Sequence, residues 1–143
     1  MHQVREVTIR YTGRPINAPS ISSPETVYQY LLALVEDDAV ERLIALYLDA
    51  KHKVIGSRVV SVGSAIQSLV HPREVFQSAV LLGAVAVVVA HNHPSGSLDP
   101  STEDTASTKR LVEAGTLLGI QVLDHVIFAR DCGFLSMRDK GSM

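Results

Sequence analysis

Seven consecutive residues, Ala84 to Ala90, are alanine or valine only, with Gly83 before them and His91 after. A run this short and this apolar is a strand buried on both faces, because an exposed face would show alternating polar residues. Such a strand needs a sheet around it and helices above and below. The flanking sequence supplies both. Ser23-Pro24-Glu25 starts a helix with an N-cap, a proline at the first position and an acid in the first turn, and Val27, Leu31, Leu34 and Val35 form its apolar face. Leu43 to Leu48 is a second buried strand, Asp49 to His52 a turn, and Lys53 to Val62 the return strand of a hairpin. Pro72 opens a second helix with Val75, Phe76, Ala79 and Leu82 inward and Gly83 at its C-terminal stop. A third helix is expected from Thr102 to Leu118, closed by Gly119. Gln121 to Ala129 follows as another strand, and Asp131 to Gly133 as a turn. The fold class is therefore α/β: a mixed central sheet with about three flanking helices.

The chain has 143 residues, of which 46% are hydrophobic, enough for one domain with its own core. No apolar run is long enough for a membrane-spanning helix. The N-terminus lacks a signal-peptide pattern, and Cys132 is the sole cysteine, so a reducing cytoplasm is the expected compartment. The formal net charge of −2 gives no electrostatic reason to expect nucleic-acid binding. Residues 1–22 read as an edge strand, Val4 to Tyr11, followed by a Pro/Ser-containing linker, Gly13 to Ser23. Residues 23–136 form the main domain and 137–143 a C-terminal tail. Arg5, Arg10 and Arg14 would solubilise the edge strand rather than form a basic patch, and an uncovered edge there would permit a homodimer.

The chemistry gathers directly after the buried Ala/Val strand. His91 and His93 lie two apart, so in extended chain both side chains point to one face. Ser101 and Asp104 follow, at the start of the third helix. His91, His93 and Asp104 make a three-ligand set for zinc, which leaves a fourth position open and is the catalytic rather than the structural arrangement. Ser101-x-x-Asp104 is also a capping box, and Ser101 can cap the helix while presenting its hydroxyl to the site. A hydrolytic zinc site needs a carboxylate to carry protons. Glu41, Glu74 and Glu103 are candidates. Glu103 is rotated by about 100° from Asp104 on the helix, Glu74 is explained as a first-turn acid, and Glu41 heads a buried strand.

Glu41, then His91-x-His93, seven residues, and Ser101-x-x-Asp104 resemble the motif of the JAMM (JAB/MPN) zinc metalloproteases. Leu48-Asp49-Ala50-Lys51, His71-Pro72-Arg73-Glu74-Val75-Phe76, His91-Asn92-His93-Pro94-Ser95-Gly96 and Leu123-Asp124-His125 are similar to blocks of the bacterial RadC family, over roughly Ser23 to Phe134. The resemblance is to short members without the N-terminal helix-hairpin-helix region. It implies a cytidine-deaminase-like α/β fold, with zinc on His91, His93 and Asp104. Glu41 would be the acid/base, and Ser101 would stabilise the oxyanion. The implied reaction is hydrolysis of a peptide or isopeptide amide by zinc-activated water, with a peptide or protein conjugate as substrate. The alternative is a non-catalytic zinc module bound to DNA or protein, in keeping with the family's DNA-repair label. A zinc nucleoside deaminase would need a Pro-Cys-x-x-Cys pair, which a single cysteine excludes. The letters His91-Asn92-His93 do not make an HNH nuclease, whose motif is spread over a hairpin and helix.

Overall fold

The computed structural model describes residues 3–13, 18–37, 39–63 and 71–143. In chain order the elements are α1 (Pro24–Leu34), β1 (Arg42–Leu48), β2 (Val54–Val62), α2 (Pro72–Leu82), β3 (Ala86–Asn92), α3 (Thr102–Leu118), β4 (Gln121–Ala129) and β5 (Gly133–Ser136). The five strands form one sheet in the order β2-β1-β3-β4-β5. Only β3 and β4 run parallel, as they must when the helix α3 carries the chain across between them.

The Ala/Val run is the middle of this sheet, and every residue of β3 is buried. Its side chains alternate between two cores. Val87 and Val89 face Val75, Phe76 and Ala79 of α2 and Leu111 of α3. Ala86, Val88 and Ala90 face Val27 and Leu31 of α1. The result is a three-layer sandwich with helices on both faces, which a strand lacking any polar face requires. Tyr47 of β1 lies in the first core and donates its buried hydroxyl to the Val75 carbonyl at 2.7 Å. Burial raises its pKa above the ordinary phenol value.

The helix ends follow local chemistry. Ser23 and Ser101 are N-caps, each in a reciprocal capping box, with Thr26 and Asp104 as the respective partners. Gly83 and Gly119 end α2 and α3 in the left-handed conformation. No helix of the described residues is long and apolar enough to cross a membrane.

Three expectations require correction. Residues 3–13 form no strand. Residues 7–11 lie beside Leu81 and Leu82 at the end of α2, and the Tyr11 hydroxyl donates to the Leu81 carbonyl at 2.6 Å. A helix keeps most of its backbone groups for itself and offers no ladder, so the alternating segment stays irregular. Arg14 and part of the expected linker lie outside the described residues. The segment after the 131–133 turn is a fifth strand, β5, which the sequence pattern does not announce. The expected tail begins with a core residue: Met137 is fully buried, and its N–H donates to the His125 carbonyl at 3.0 Å.

β4 carries one irregularity that bears on the site. Val87 pairs with Val122, but Val88 pairs with Asp124, so Leu123 is an extra residue in the ladder. A bulge of this kind reverses which face later residues occupy. Val122 belongs to the core under α2 and α3, whereas Val126 and Phe128 belong to the core under α1. His125 is thereby turned toward α3.

Candidate metal centre

β1 and β3 pair antiparallel, with Leu43 opposite His91. Glu41 immediately precedes β1 and His93 immediately follows β3, and Glu41 Oε1 lies 3.9 Å from His93 Nε2. Strand alternation places Glu41, Leu43, His91 and His93 on the α2/α3 face of the sheet. His91 ends the buried strand and is 1% exposed on its side chain, against 15% for His93 and 16% for Glu41. Asp104 comes from the first turn of α3. Its carboxylate Oδ2 accepts from the Ser101 N–H at 2.8 Å, and Ser101 Oγ accepts from the Asp104 N–H at 3.0 Å. The capping box thus fixes the carboxylate that leans over the histidines.

The donor atoms converge. His91 Nε2 and His93 Nε2 are 2.7 Å apart. Asp104 Oδ1 lies 3.3 Å from His91 Nε2, and Asp104 Oδ2 lies 3.6 Å from His93 Nε2. Glu41 Oε1 is 3.9 Å from His93 Nε2. Ligand atoms of Glu41, His91 and His93 all fall within 4.8 Å of one another. Asp104 approaches both imidazoles more closely than Glu41 approaches His93.

Hydrogen bonding fixes the tautomer of each ring. Pro94 and Ser95 make a turn closed by the Gly96 N–H on the His93 carbonyl at 3.0 Å, with Gly96 at φ 84°. This turn brings the Ser97 carbonyl to 2.7 Å from His93 Nδ1. A carbonyl only accepts, so His93 Nδ1 carries the proton. Behind His91, Thr108 Oγ1 donates to the Asp104 carbonyl at 2.7 Å. With its one proton used, Thr108 accepts from His125 Nδ1 at 2.5 Å. His125 is buried and its pKa is pushed down to about 3, first by desolvation and then by the neighbouring His91. It is therefore neutral, its Nε2 accepts, and His91 Nδ1 donates to it at 2.7 Å.

Both inward Nε2 atoms therefore present lone pairs to the same point, with two carboxylates beside them. Such a set demands a cation between the nitrogens. A proton meets the demand in part: the Asp104 hydrogen bond raises the His93 pKa above its ordinary value, against the opposing effect of burial. Burial pushes the Asp104 pKa up, but the His91 and His93 hydrogen bonds outweigh it and hold the carboxyl far below the usual range. A divalent ion meets the demand fully. Tetrahedral zinc with bonds of about 2.0–2.1 Å holds its nitrogens about 3.3 Å apart, so the rings need open by less than an ångström. Each imidazole is already backed by an acceptor, as metal-ligating histidines are. The residues fit a metal ion.

A cavity of about 530 Å³ opens over this point, lined among others by Glu41, His93, Ser97, Ser101, Glu103 and Asp104. Glu103 is exposed on its rim. Glu74 is elsewhere: it pairs with Arg58 at 3.4 Å and does not line the cavity. The structure thus brings together Glu41, His91, His93, Ser101 and Asp104, and leaves Glu74 apart. Of the two supporting residues, one is half legible in the sequence. His125 reads there first as a core hydrogen-bonded histidine, with support of the metal site as the alternative, and the Leu123-Asp124-His125 block is its signal. Thr108 carries no signal at all.

The family model for the RadC-like JAB domain matches residues 21–142. The chain is similar to UPF0758 proteins from several organisms. It is 46% identical over 121 residues to one of Methanosarcina mazei, covering 85% of this chain and 52% of the relative. It is 45% identical over 137 residues to one of Bacillus cereus, covering 96% and 59%. A third, from Symbiobacterium thermophilum, is 41% identical over 133 residues, covering 93% and 56%. The chain spans little more than half the length of these curated relatives.

Proposed function

The chain belongs to the RadC-like JAB domain family, and from that premise we propose that it is a zinc-dependent hydrolase of peptide or isopeptide amide bonds. The observation that carries the reading is the 2.7 Å approach of His91 Nε2 to His93 Nε2, with His93 and Asp104 lining an open cavity. His91, His93 and Asp104 would hold the ion, since these three approach one another most closely and come from rigid flanks, a strand end and a helix start. Zinc bound there would polarise the substrate carbonyl and activate water for attack.

The protein's own residues divide the remaining work. Glu41 faces His93 from across the sheet, at the edge of the cavity. Its carboxylate would take a proton from the attacking water and deliver it to the leaving amine nitrogen. Ser101 Oγ accepts the Asp104 N–H, which leaves the hydroxyl proton free to donate to the oxygen of the tetrahedral intermediate. His125 and Thr108 hold His91 in the tautomer that presents Nε2. Among the described residues the cavity lining includes Glu41, Asp99, Glu103 and Asp104 and no lysine or arginine. That lining favours a polypeptide over the phosphate backbone of a nucleic acid, and the DNA-bound module is the weaker reading.

The test is hydrolysis by zinc-loaded protein of a panel of linear peptides and isopeptide-linked conjugates, beside a salt-dependent DNA titration. Zinc-dependent cleavage of an amide that Glu41→Gln fails to cleave supports the reading. Salt-dependent DNA binding without any cleavage would replace it with the binding module.

A further inference from the structure

Asn92 sits between the two histidines, but its side chain points to the opposite face of the sheet, and the residue is 0% exposed. The β1–β3 pairing stops at Leu43 and His91. Beyond that pair the strands part, and the backbone groups around Glu41 find no carbonyl or N–H on β3. Asn92 bridges the gap. Its Oδ1 accepts from the Arg42 N–H at 2.8 Å, and its Nδ2 donates to the Val40 carbonyl at 3.0 Å.

Those two groups belong to the peptide units on either side of the Glu41 Cα. Fixing both peptide planes fixes φ and ψ of Glu41, and with them the direction of its side chain. On the other side, the Glu41 carbonyl accepts from the Gly63 N–H at 2.8 Å, so the Glu41 backbone is held between β2 and β3. A primary amide offers an acceptor and a donor on one short planar group, whereas ionised aspartate lacks the donor.

We infer that Asn92 is the positioning residue for Glu41, clasping the backbone around it so that its carboxylate faces the metal centre. The inference rests on the proposal that Glu41 serves a metal centre, and not on which bond is cleaved. Neighbouring residues of one strand thereby serve the centre in different ways. The histidines bind on one face, and the asparagine aligns their partner from the other.

The test uses zinc alone as the probe. Zinc affinity is measured by chelator competition for the wild type, Glu41→Gln, Asn92→Ala and the double variant, together with exchange of the Arg42 amide proton. Glu41→Gln is expected to weaken zinc about 10-fold, the size of an outer-shell loss. Asn92→Ala is expected to weaken it by a similar or smaller factor and to expose the Arg42 amide to exchange. The double variant is expected to be no weaker than Glu41→Gln, because Asn92 acts through Glu41. Losses that multiply in the double variant would overturn the inference, as would wild-type affinity in Asn92→Ala. Unchanged affinity in Glu41→Gln would remove Glu41 from the centre and the inference with it. Should Asn92→Ala not fold, Asn92→Asp, which keeps the acceptor and loses the donor, carries the same comparison. Absence of amide hydrolysis by the wild type would count against the proposed reaction and leave this result standing.

Discussion

His91 and His125 are joined across two parallel strands by a single 2.7 Å contact between Nδ1 and Nε2. Through it a buried, uncharged ring decides which nitrogen of His91 turns toward His93 and Asp104.

The proposed ligand set, His91, His93 and Asp104, predicts one zinc per chain. His93→Ala or Asp104→Ala is expected to lower zinc affinity by more than about 100-fold, beyond the 10–100-fold range of outer-shell changes. Metal analysis after dialysis checks this, and full stoichiometric zinc in both variants would end the ligand assignment.

Removing the support behind His91 should be milder. Thr108→Val keeps the shape but leaves His125 Nδ1 without an acceptor. Zinc affinity is expected to drop about 10-fold, and the folded state to lose about 1–3 kcal/mol for the unsatisfied buried donor. Chelator competition and urea unfolding of the metal-free protein read the two effects separately.

Glu41→Gln should retain zinc at stoichiometric protein concentrations yet cut hydrolysis of any cleaved substrate about 10²–10⁴-fold, the range for loss of a positioned acid/base. Activity equal to wild type would move the proton-carrying role to Glu103 or Asp99, which also line the cavity.

Zinc affinity should fall as pH is lowered, starting above the ordinary imidazole value of 6.5, because His93 in the metal-free protein holds its proton more tightly than that. Asp104, held far below the carboxylate range, adds no competition over this span. Proton release on zinc binding, followed by calorimetry in buffers of different ionisation heat, is expected to approach one per chain near pH 6.5. Release that starts only below that value would contradict the raised His93 pKa.

The metal-free protein should also lose stability on acidification for a separate reason. His125 is depressed from 6.5 to about 3, so its contribution is present above 6.5 and is lost as pH falls through the folded value. His93 works in the opposite sense: its contribution is present below 6.5 and lost as pH rises through its raised value. Unfolding free energy against pH should therefore fall between 6.5 and about 3 in the wild type, and less steeply in His125→Gln.

What is legible in the sequence and what is hidden divide along physical lines. The Ala/Val run, the caps at Ser23 and Ser101, and the stops at Gly83 and Gly119 are legible because each is local chemistry acting on its own few residues. His91, His93 and Asp104 are legible as a set because their spacing matches a strand end and a first helical turn. The alternation in Val4 to Tyr11 misleads, since an apolar/polar pattern says a segment suits a strand and not that a partner edge is near. β5 has only four residues and no clear pattern. Asn92 gives no sign of its role because its two partners lie 50 and 52 residues away. Thr108 is hidden likewise: nothing in a helical threonine announces the ring it faces 17 positions later.

The extra residue at Leu123 has a consequence for how this domain can change over time. Losing the bulge while keeping the residue would pair Leu123 with Val88 and exchange the two faces of β4 downstream, sending Val126 and Phe128 under α3 and swinging His125 away from His91. Length in this strand can therefore drift by one residue at the bulge without exchanging the layers, whereas loss of the bulge at constant length would strip His91 of its support at the same stroke that scrambled both hydrophobic layers.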